Sequence, residues 1–588
     1  MDPIIGIDLG TTNSEVAFIM DGNVTILKEN DTGIIPSCVG LNSENEVIVG
    51  VEARNQATIY PENTVLSVKR SMGTDKKIML GKNSYSPQEI SAFILKELKE
   101  RAERIIGQPI SKAVITTPAY FTDIQRQATY EAGEIAGLKV VRILNEPTSA
   151  ALSYNSLDTD SKIIMIYDLG GGTFDVSIVK IENDVVEVLS STGDNQLGGD
   201  DFDREIEKIL INYIDAEFNI NVSEQPIVMA RLKLAAENAK IELSRNPYVK
   251  IEEDHLTQNR DGDVHLSFEL SRQDFEIAID HHLQKTMESV TKALKDALML
   301  PSALDEIILV GGSTRIPQLS VMLEEKFGIL PHQEIDPDLC VAMGAAVQAG
   351  REMGVESSSI LLDITPYTFG VSTLGYDADG NPTPHRFSPL IRRNSKLPTV
   401  KSEAFSTIVE NQDAVEIVVY QGEKPNALDN VKIGNYLLKL SPQPIHSIVI
   451  IKFSLDVNGI LKIEGIEKST GKKITGIIEN ALSQLSPKEL TLSRNKINEI
   501  WADSSSDNDN NNNIIDINDS VKKDSEKVQD NIQLIISQAR EILKNVSEDD
   551  QEDIINLIES IHDALADNDM DAVKEMTGEL EDLLFYLE

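Results

Sequence analysis

Two glycine turns are the first places where this chain could do chemistry. Gly10-Thr11-Thr12 follows Asp8, and Gly170-Gly171-Gly172-Thr173 follows Asp168. Glycine lets a backbone approach a phosphate and aim its N–H groups at it, and threonine hydroxyls add donors. The aspartate at the head of each turn would face a metal held by those phosphates. Mg²⁺ prefers oxygen ligands and keeps most of its waters, so Asp8 and Asp168 would act through water. One Asp-x-Gly turn is an ordinary structural feature; two in the same strand context are a pattern. A third turn, Gly311-Gly312-Ser313-Thr314-Arg315, follows the apolar run at 307–310. It could admit a flat adenosine ring with Arg315 stacked on it, or be a plain strand-to-helix turn. The sequence contains no GxxxxGK[ST] string, so the P-loop solution is excluded. Lys69 and Glu146 complete the candidates. A lysine can neutralise a γ-phosphate and orient water, and a carboxylate can hold a metal's water shell. By composition alone each reads first as a surface charge.

These residues need strands and helices to hold them. Residues 1–355 alternate short β-branched runs, such as 163–167 and 307–310, with helical stretches. Ser86-Pro87-Gln88-Glu89 reads as a helix start with a capping box and proline in the first turn. The segment IGIDLGTT at 5–12 recurs as IYDLGGGT at 166–173. A duplicated strand–turn–strand unit predicts two similar lobes with a cleft between them. Near Gly354 the composition changes, and the apolar strip 360–363 reads as a linker. From 364 to 480 alternation takes over, with turns at Asp379-Gly380 and Asn458-Gly459, which predicts an antiparallel β-domain. The tail, 481–588, opens on a second cap at Ser486-Pro487-Lys488-Glu489. It contains an Asp/Asn/Ser-rich stretch at 503–520 and helical periodicity at 528–543, 554–565 and 570–587.

The chain has 588 residues, so about three or four domains are expected. Its 54 Lys and Arg stand against 96 Asp and Glu, a net charge of −42 that argues against nucleic acid or an anionic membrane as partner. Two cysteines, Cys38 and Cys340, are too few for a disulfide framework or a zinc site. No signal peptide or long apolar run is visible, which predicts a cytoplasmic protein without membrane insertion.

The strings IGIDLGTTNS (5–14), TPAYFTDIQRQA (117–128), NEPT (145–148), YDLGGGTFDV (167–176), GDNQLGGDDFD (193–203), AAENAKIELS (235–244), LVGGSTRIP (309–317) and DPDLCVAMGAAVQ (336–348) resemble the DnaK-type, seventy-kilodalton heat-shock chaperone family. The resemblance runs over roughly 1–350 and, more loosely, to about 475. It implies a multidomain chain: an α/β actin-like ATPase of two lobes (1–355), a linker (356–363), a β-sandwich peptide-binding domain (364–480) and an α-helical lid (481–588). It implies ATP/ADP and Mg²⁺ as cofactors, and ATP hydrolysis that switches affinity for extended apolar segments of client polypeptides. A J-domain co-chaperone and a nucleotide exchange factor are the implied partners.

Residue by residue, Asp8, Lys69, Glu146, Asp168, Thr173 and Asp175 match the family's hydrolytic and Mg²⁺ positions. Thr11, Thr12, Asn13, Gly171, Gly172, Gly198, Gly199 and Asp200 match its phosphate contacts. Glu237, Lys240, Ser244, Gly311, Gly312, Ser313, Arg315 and Asp338 match its nucleoside pocket. Pro118, Arg126 and the linker residues Leu361, Leu362 and Asp363 match the interdomain relay, and Arg142 a J-domain contact. Leu374, Phe405, Ile408, Val415, Ile417, Val419 and Ile460 fall at or near peptide-groove positions. Ser358-Ser359 and the long 375–388 segment depart from the family pattern, and strings such as VYQGE at 419–423 look more like its specialised HscC branch. Rival readings of the head are a small-molecule kinase, an actin-like filament protein and a non-hydrolysing holding factor. A kinase would not need residues 364–478 or the tail, a filament protein would sediment on adding ATP, and a non-hydrolysing factor has no use for the Lys69, Glu146, Asp168 and Thr173 set.

Overall fold

The computed structural model describes residues 2–20, 22–154, 161–182, 185–259, 262–332, 335–355, 360–376, 380–477, 485–505 and 557. Everything below lies in the compact unit Met1–Ser504 and its immediate end; Ser505–Glu588 forms a second unit. The low-complexity stretch beyond 505 and the helical periodicities at 528–543 and 570–587 lie outside the described residues.

The duplicated motif becomes two sheets of one plan. In the first, Ile4–Leu9, Asn13–Met20 and Asn23–Ile26 run antiparallel, and Lys112–Thr117 and Lys139–Asn145 add in parallel beyond Ile4–Leu9. In the second, Lys162–Leu169, Phe174–Glu182 and Val185–Asp194 run antiparallel, and Glu306–Val310 adds in parallel beside Lys162–Leu169. The copies correspond in register: Asp8 pairs with Glu15 across the first turn, and Asp168 with Asp175 across the second.

Each sheet buries an apolar core of its own. Ile5, Ile7 and Phe93 anchor one, and Tyr167, Phe174 and Phe202 the other. A third cluster joins the two sheets through helices Glu146–Tyr154 and Cys340–Glu352. These helices cross with no room for a side chain at Gly344, where a Cβ would lie 1.7 Å from the carbonyl oxygen of Ser149. Gly344→Ala must therefore push the crossing apart. We expect a loss of at least about 1–3 kcal/mol, seen as a lower Tm in thermal unfolding.

Helix Pro87–Ile106 begins as its sequence predicts. The Glu89 amide donates to Ser86 Oγ (3.2 Å), the Ser86 amide donates to Glu89 Oε2 (2.8 Å), and Gly107 closes the far end at φ 72°. Helix Pro487–Ser505 has the same start: the Glu489 amide donates to Ser486 Oγ (3.3 Å), and the Ser486 amide to Glu489 Oε2 (2.7 Å). Residues 364–477 form two four-stranded antiparallel sheets. One runs Pro382–Ile391, Phe369–Tyr376, Ala414–Gln421, Val431–Lys439; the other runs Thr399–Ser406, Ile448–Leu455, Leu461–Glu467, Lys473–Ile477. Val371, Ile417, Val419, Ile451 and Phe453 fill the space between them.

The apolar strip after the head is more than a tether. Ile360–Leu362 pairs in parallel with Val185–Glu187 and becomes the fifth strand of the second sheet. Among the described residues no helix is long and apolar enough to cross a membrane. Cys38 and Cys340 are buried and unpaired, and burial pushes the Cys38 thiol up to about 12.

Candidate functional site: a nucleotide cleft and its relay

The two glycine turns meet face to face. A Cβ on Gly171 would lie 1.9 Å from Thr12 Oγ1, and one on Gly172 2.6 Å from Thr11 Cγ2, so only glycine allows the two lobes this approach. Neighbouring hydroxyls fix the turns: Ser37 Oγ donates to the Gly10 carbonyl (2.9 Å) and Ser313 Oγ to that of Gly170 (2.9 Å). Between them opens a cleft of about 710 Å³.

Nearly all of the residues expected there line it. Asp8, Gly10, Thr11, Thr12 and Asn13 come from the first turn, and Asp168, Gly170, Gly171 and Thr173 from the second. Glu237, Lys240 and Ser244 come from helix Pro226–Leu243 and its end, and Gly311, Gly312, Ser313 and Arg315 from the third turn, with Asp338 opposite. Lys69 and Glu146 complete the wall as a buried ion pair, Nζ to Oε1 2.5 Å. Arg315 is held by Asp336 (2.7 Å) and Asp338 (2.9 Å), which fixes its guanidinium at the rim.

Five expected positions sit elsewhere, and one of them, Gly172, packs against Thr11 of the first turn. Gly198, Gly199 and Asp200 brace the second turn from behind: the Gly199 amide donates to the Gly170 carbonyl (3.0 Å) and the Asp200 amide to the Gly171 carbonyl (2.7 Å). Those two N–H groups are already spent and do not face the cleft. Asp175 is a clamp, its carboxylate accepting from the amides of Ala119 (3.1 Å) and Tyr120 (2.9 Å). Sequence reasoning missed Glu15, a buried lining residue whose register opposite Asp8 mirrors that of Asp175 opposite Asp168. It also missed Arg70, which pairs with Asp201 (2.7 Å) and Asp200 (3.6 Å) across the lobes. The duplicated register would have found the first; no local spacing marks the second.

The cleft is rich in buried acid. Burial raises Asp8 above the usual carboxylate range, against the pull of Lys69 and a 2.7 Å hydrogen bond from Thr116 Oγ1. Asp168 is raised well above that range by burial and then by Glu146, Asp175 and Asp8, and its Oδ2 is buried with no hydrogen-bond partner among the described residues. Burial works against charge on Lys69, but Glu146 and Asp8 outweigh it and hold its pKa up. Converging carboxylates with one orphaned oxygen, beside turns built for phosphate, fit a hydrated divalent cation carried by a polyphosphate.

From the cleft a polar relay runs outward. Asn145, next in the chain to Glu146, donates through Nδ2 to both oxygens of Asp363 (3.0 Å each). Its Oδ1 accepts from Arg126, which also donates to the Ala119 carbonyl (2.9 Å) and to Thr117 Oγ1 (3.3 Å). Pro118 lies buried between those last two residues. The Asp175 clamp holds the same segment, and the Tyr120 carbonyl beyond it accepts from the Tyr367 hydroxyl (2.6 Å). Arg142 sits on the strand that ends in Asn145, and its charge is one of those opposing the rise that burial causes in the pKa of Asp363.

Further contacts fasten residues 364–477 to the head: the Asp123 amide donates to Gln421 Oε1 (3.3 Å), and Arg393 pairs with Asp296 (2.7 Å). Helix Pro487–Ser505 lies on the head as well. Arg494 Nε donates to the Glu134 carbonyl (2.8 Å), and the Trp501 ring stacks on Phe93 (6.1 Å).

Burial raises Asp123 to about 7 in this junction, with Arg126 opposing and Asp456 adding to the rise. The folded state then holds a proton that the unfolded chain releases at lower pH. Between the unfolded value near 4 and about 7, its contribution to stability falls as pH rises. Asp123→Asn, which mimics the protonated form, should flatten the decline of Tm between pH 5 and pH 8. An unchanged slope would mean that Asp123 stays ionised.

The seven expected groove residues do not form one surface. Alternation puts Val415, Ile417 and Val419 on one face, but Ile417 and Val419 are closed into the sandwich core. Leu374 and Ile408 are exposed, and Phe405 and Val415 are half-buried against the core. Ile460 faces the head, near Asp123, Tyr130 and Ile143. The hairpin that carries it has turned to the relay, where Asn458 Oδ1 accepts from the Ile143 amide (3.3 Å).

A family model described as Hsp70 protein matches residues 4–79 and 76–586. The chain belongs to the Hsp70 family. Hsp70 proteins are chaperones that couple an actin-like ATPase to a substrate-binding domain and bind nucleotide with Mg²⁺. Membership accounts for the duplicated lobes, the absence of a P-loop and the second, all-antiparallel sandwich in one chain.

Proposed function

We propose that this Hsp70 protein is an ATP-driven chaperone that binds extended apolar segments of client polypeptides and releases them when ATP enters the cleft. Residues 1–355 serve as the ATPase head, 356–363 as linker, 364–480 as the peptide-binding domain and 481–588 as lid. The observation that carries this reading is the strand Ile360–Leu362. It makes the linker part of the head's second sheet, whose Lys162–Leu169 strand ends in the phosphate turn.

In the cleft, Gly10–Thr12 and Gly170–Thr173 would bind the phosphates, and Asp8 and Asp168 would hold a hydrated Mg²⁺. Mg²⁺ supplies charge neutralisation on the phosphates. Lys69, pinned by Glu146, places positive charge beside the γ-phosphate, and Thr173 orients the attacking water. Glu237, Lys240, Ser244 and Arg315 frame the nucleoside. Tyr367, Gln421 and Arg393 dock the sandwich on the head, and ATP would favour an open, fast-exchanging groove. Leu374, Ile408, Phe405 and Val415 offer the apolar surface for the client. Arg142, beside the linker, is where a J-domain partner would act.

The test follows release of a fluorescent apolar peptide from the full chain on adding ATP, with hydrolysis measured alongside. ATP-accelerated release with slow turnover is the expected result. Turnover with no effect on peptide would overturn the broad-client reading and favour a specialised HscC-like chaperone with narrow clients.

A further inference from the structure

Away from the cleft, three metal-ligating side chains converge on the outer side of the second lobe. Glu205 belongs to helix Gly199–Phe218, and His281 and His282 to helix Arg272–Asp296. One donor atom from each lies within 4.8 Å of the others. His282 Nε2 is 3.3 Å from Glu205 Oε1, and His281 Nε2 is 4.0 Å from the same oxygen. A tetrahedral ion with bonds of about 2.0–2.1 Å needs donors about 3.3 Å apart. The Glu205–His282 pair already has that spacing, the Glu205–His281 pair needs to close by about 0.7 Å, and the two imidazoles lie within 4.8 Å of each other.

The hydrogen bonding around the cluster points the same way. His281 Nδ1 lies 3.1 Å from the Ala278 carbonyl, which can only accept, so Nδ1 carries a proton. In neutral His281 the lone pair is therefore on Nε2 and faces a carboxylate oxygen. The two atoms are 4.0 Å apart, which leaves room for a cation or a water between them. A backbone carbonyl fixing the far nitrogen is the usual outer partner of a metal-bound imidazole. Lys208 now pairs with Glu205 (2.9 Å), but its side chain is 63% exposed and free to swing away.

We propose that Glu205, His281 and His282 form a binding site for a divalent transition-metal ion of the Zn²⁺ class. Two imidazoles and a carboxylate suit Zn²⁺, Ni²⁺ or Cu²⁺ and leave one position for water. Mg²⁺, which selects oxygen ligands, is not its ion. The ion would pin together two helices of the second lobe. The first of them begins with Gly199 and Asp200, the residues that brace the phosphate turn.

The experiment titrates Zn²⁺ into the full chain, free of any affinity tag and in excess Mg²⁺, by calorimetry. Wild type and His265→Gln should each take up one tightly bound ion per chain. His281→Gln should lose it, and Glu205→Gln should bind at least tenfold more weakly. His281 is 55% exposed, so its substitution leaves the fold intact, as a metal-free melting curve would verify. Equal Zn²⁺ binding by wild type and His281→Gln, or none by wild type, would overturn the proposal.

Discussion

Lys69→Ala lowers single-turnover ATP hydrolysis by about two to three orders of magnitude, the range for removing one preorganised charge aimed at a developing anion. Nucleotide binding survives, because the two phosphate turns do not depend on this side chain. The fold survives as well. Removing one partner of a buried ion pair usually costs about 3–5 kcal/mol, because a bare charge is left behind. Here the abandoned partner is Glu146, whose pKa burial raises against the pull of Lys69. Without the lysine it takes up a proton at neutral pH and leaves no bare charge. Lys69→Arg does not restore the rate, since a planar fork cannot replace a compact ammonium at a 2.5 Å contact. Single-turnover hydrolysis and ADP titration, run on the same preparations, check all three statements. Near-normal hydrolysis in Lys69→Ala would move the catalytic assignment off this pair.

What the sequence disclosed about this site was local or repeated. The two Asp–Gly–Thr turns, their shared strand context and the capping box at Ser86 are visible as short patterns, and each forms at the expected place. The misplaced residues depend on contacts that no spacing carries. Asp175 has the chemistry of a ligand, but its two oxygens are claimed by backbone amides some 55 residues away in the chain. Gly199 and Asp200 look like donors to phosphate, yet a neighbouring turn consumes their N–H groups. Ile417 and Val419 alternate correctly for either a groove or a core, and only the opposite sheet decides. The Asn145–Asp363 contact spans 218 residues, so neither partner alone signals a relay. Glu15 shows the converse: the internal repeat placed it opposite Asp8 by the same register that pairs Asp168 with Asp175, a deduction open to the sequence.

The linker strand leads to the second large effect. Leu361 pairs with Val186 and packs half-buried against the cluster joining the two sheets, whereas Ile360 is exposed. A carboxylate at 361 would have to be desolvated each time the strand docks, while one at 360 would stay in water. Leu361→Asp should therefore undock the strand and leave the ATP-bound chain releasing peptide at the ADP rate. The loss should be about 5–150-fold, the span of a coupling free energy of about 1–3 kcal/mol. Ile360→Asp, one residue away and equal in charge, should keep most of the ATP effect, because strand alternation turns it to the other face. Stopped-flow peptide release from both variants separates lost docking from added charge. Equal impairment would mean that charge on the linker matters rather than its register. If ATP still accelerated release in Leu361→Asp, the coupling would have to run through the contacts of Tyr367, Gln421 and Arg393 instead.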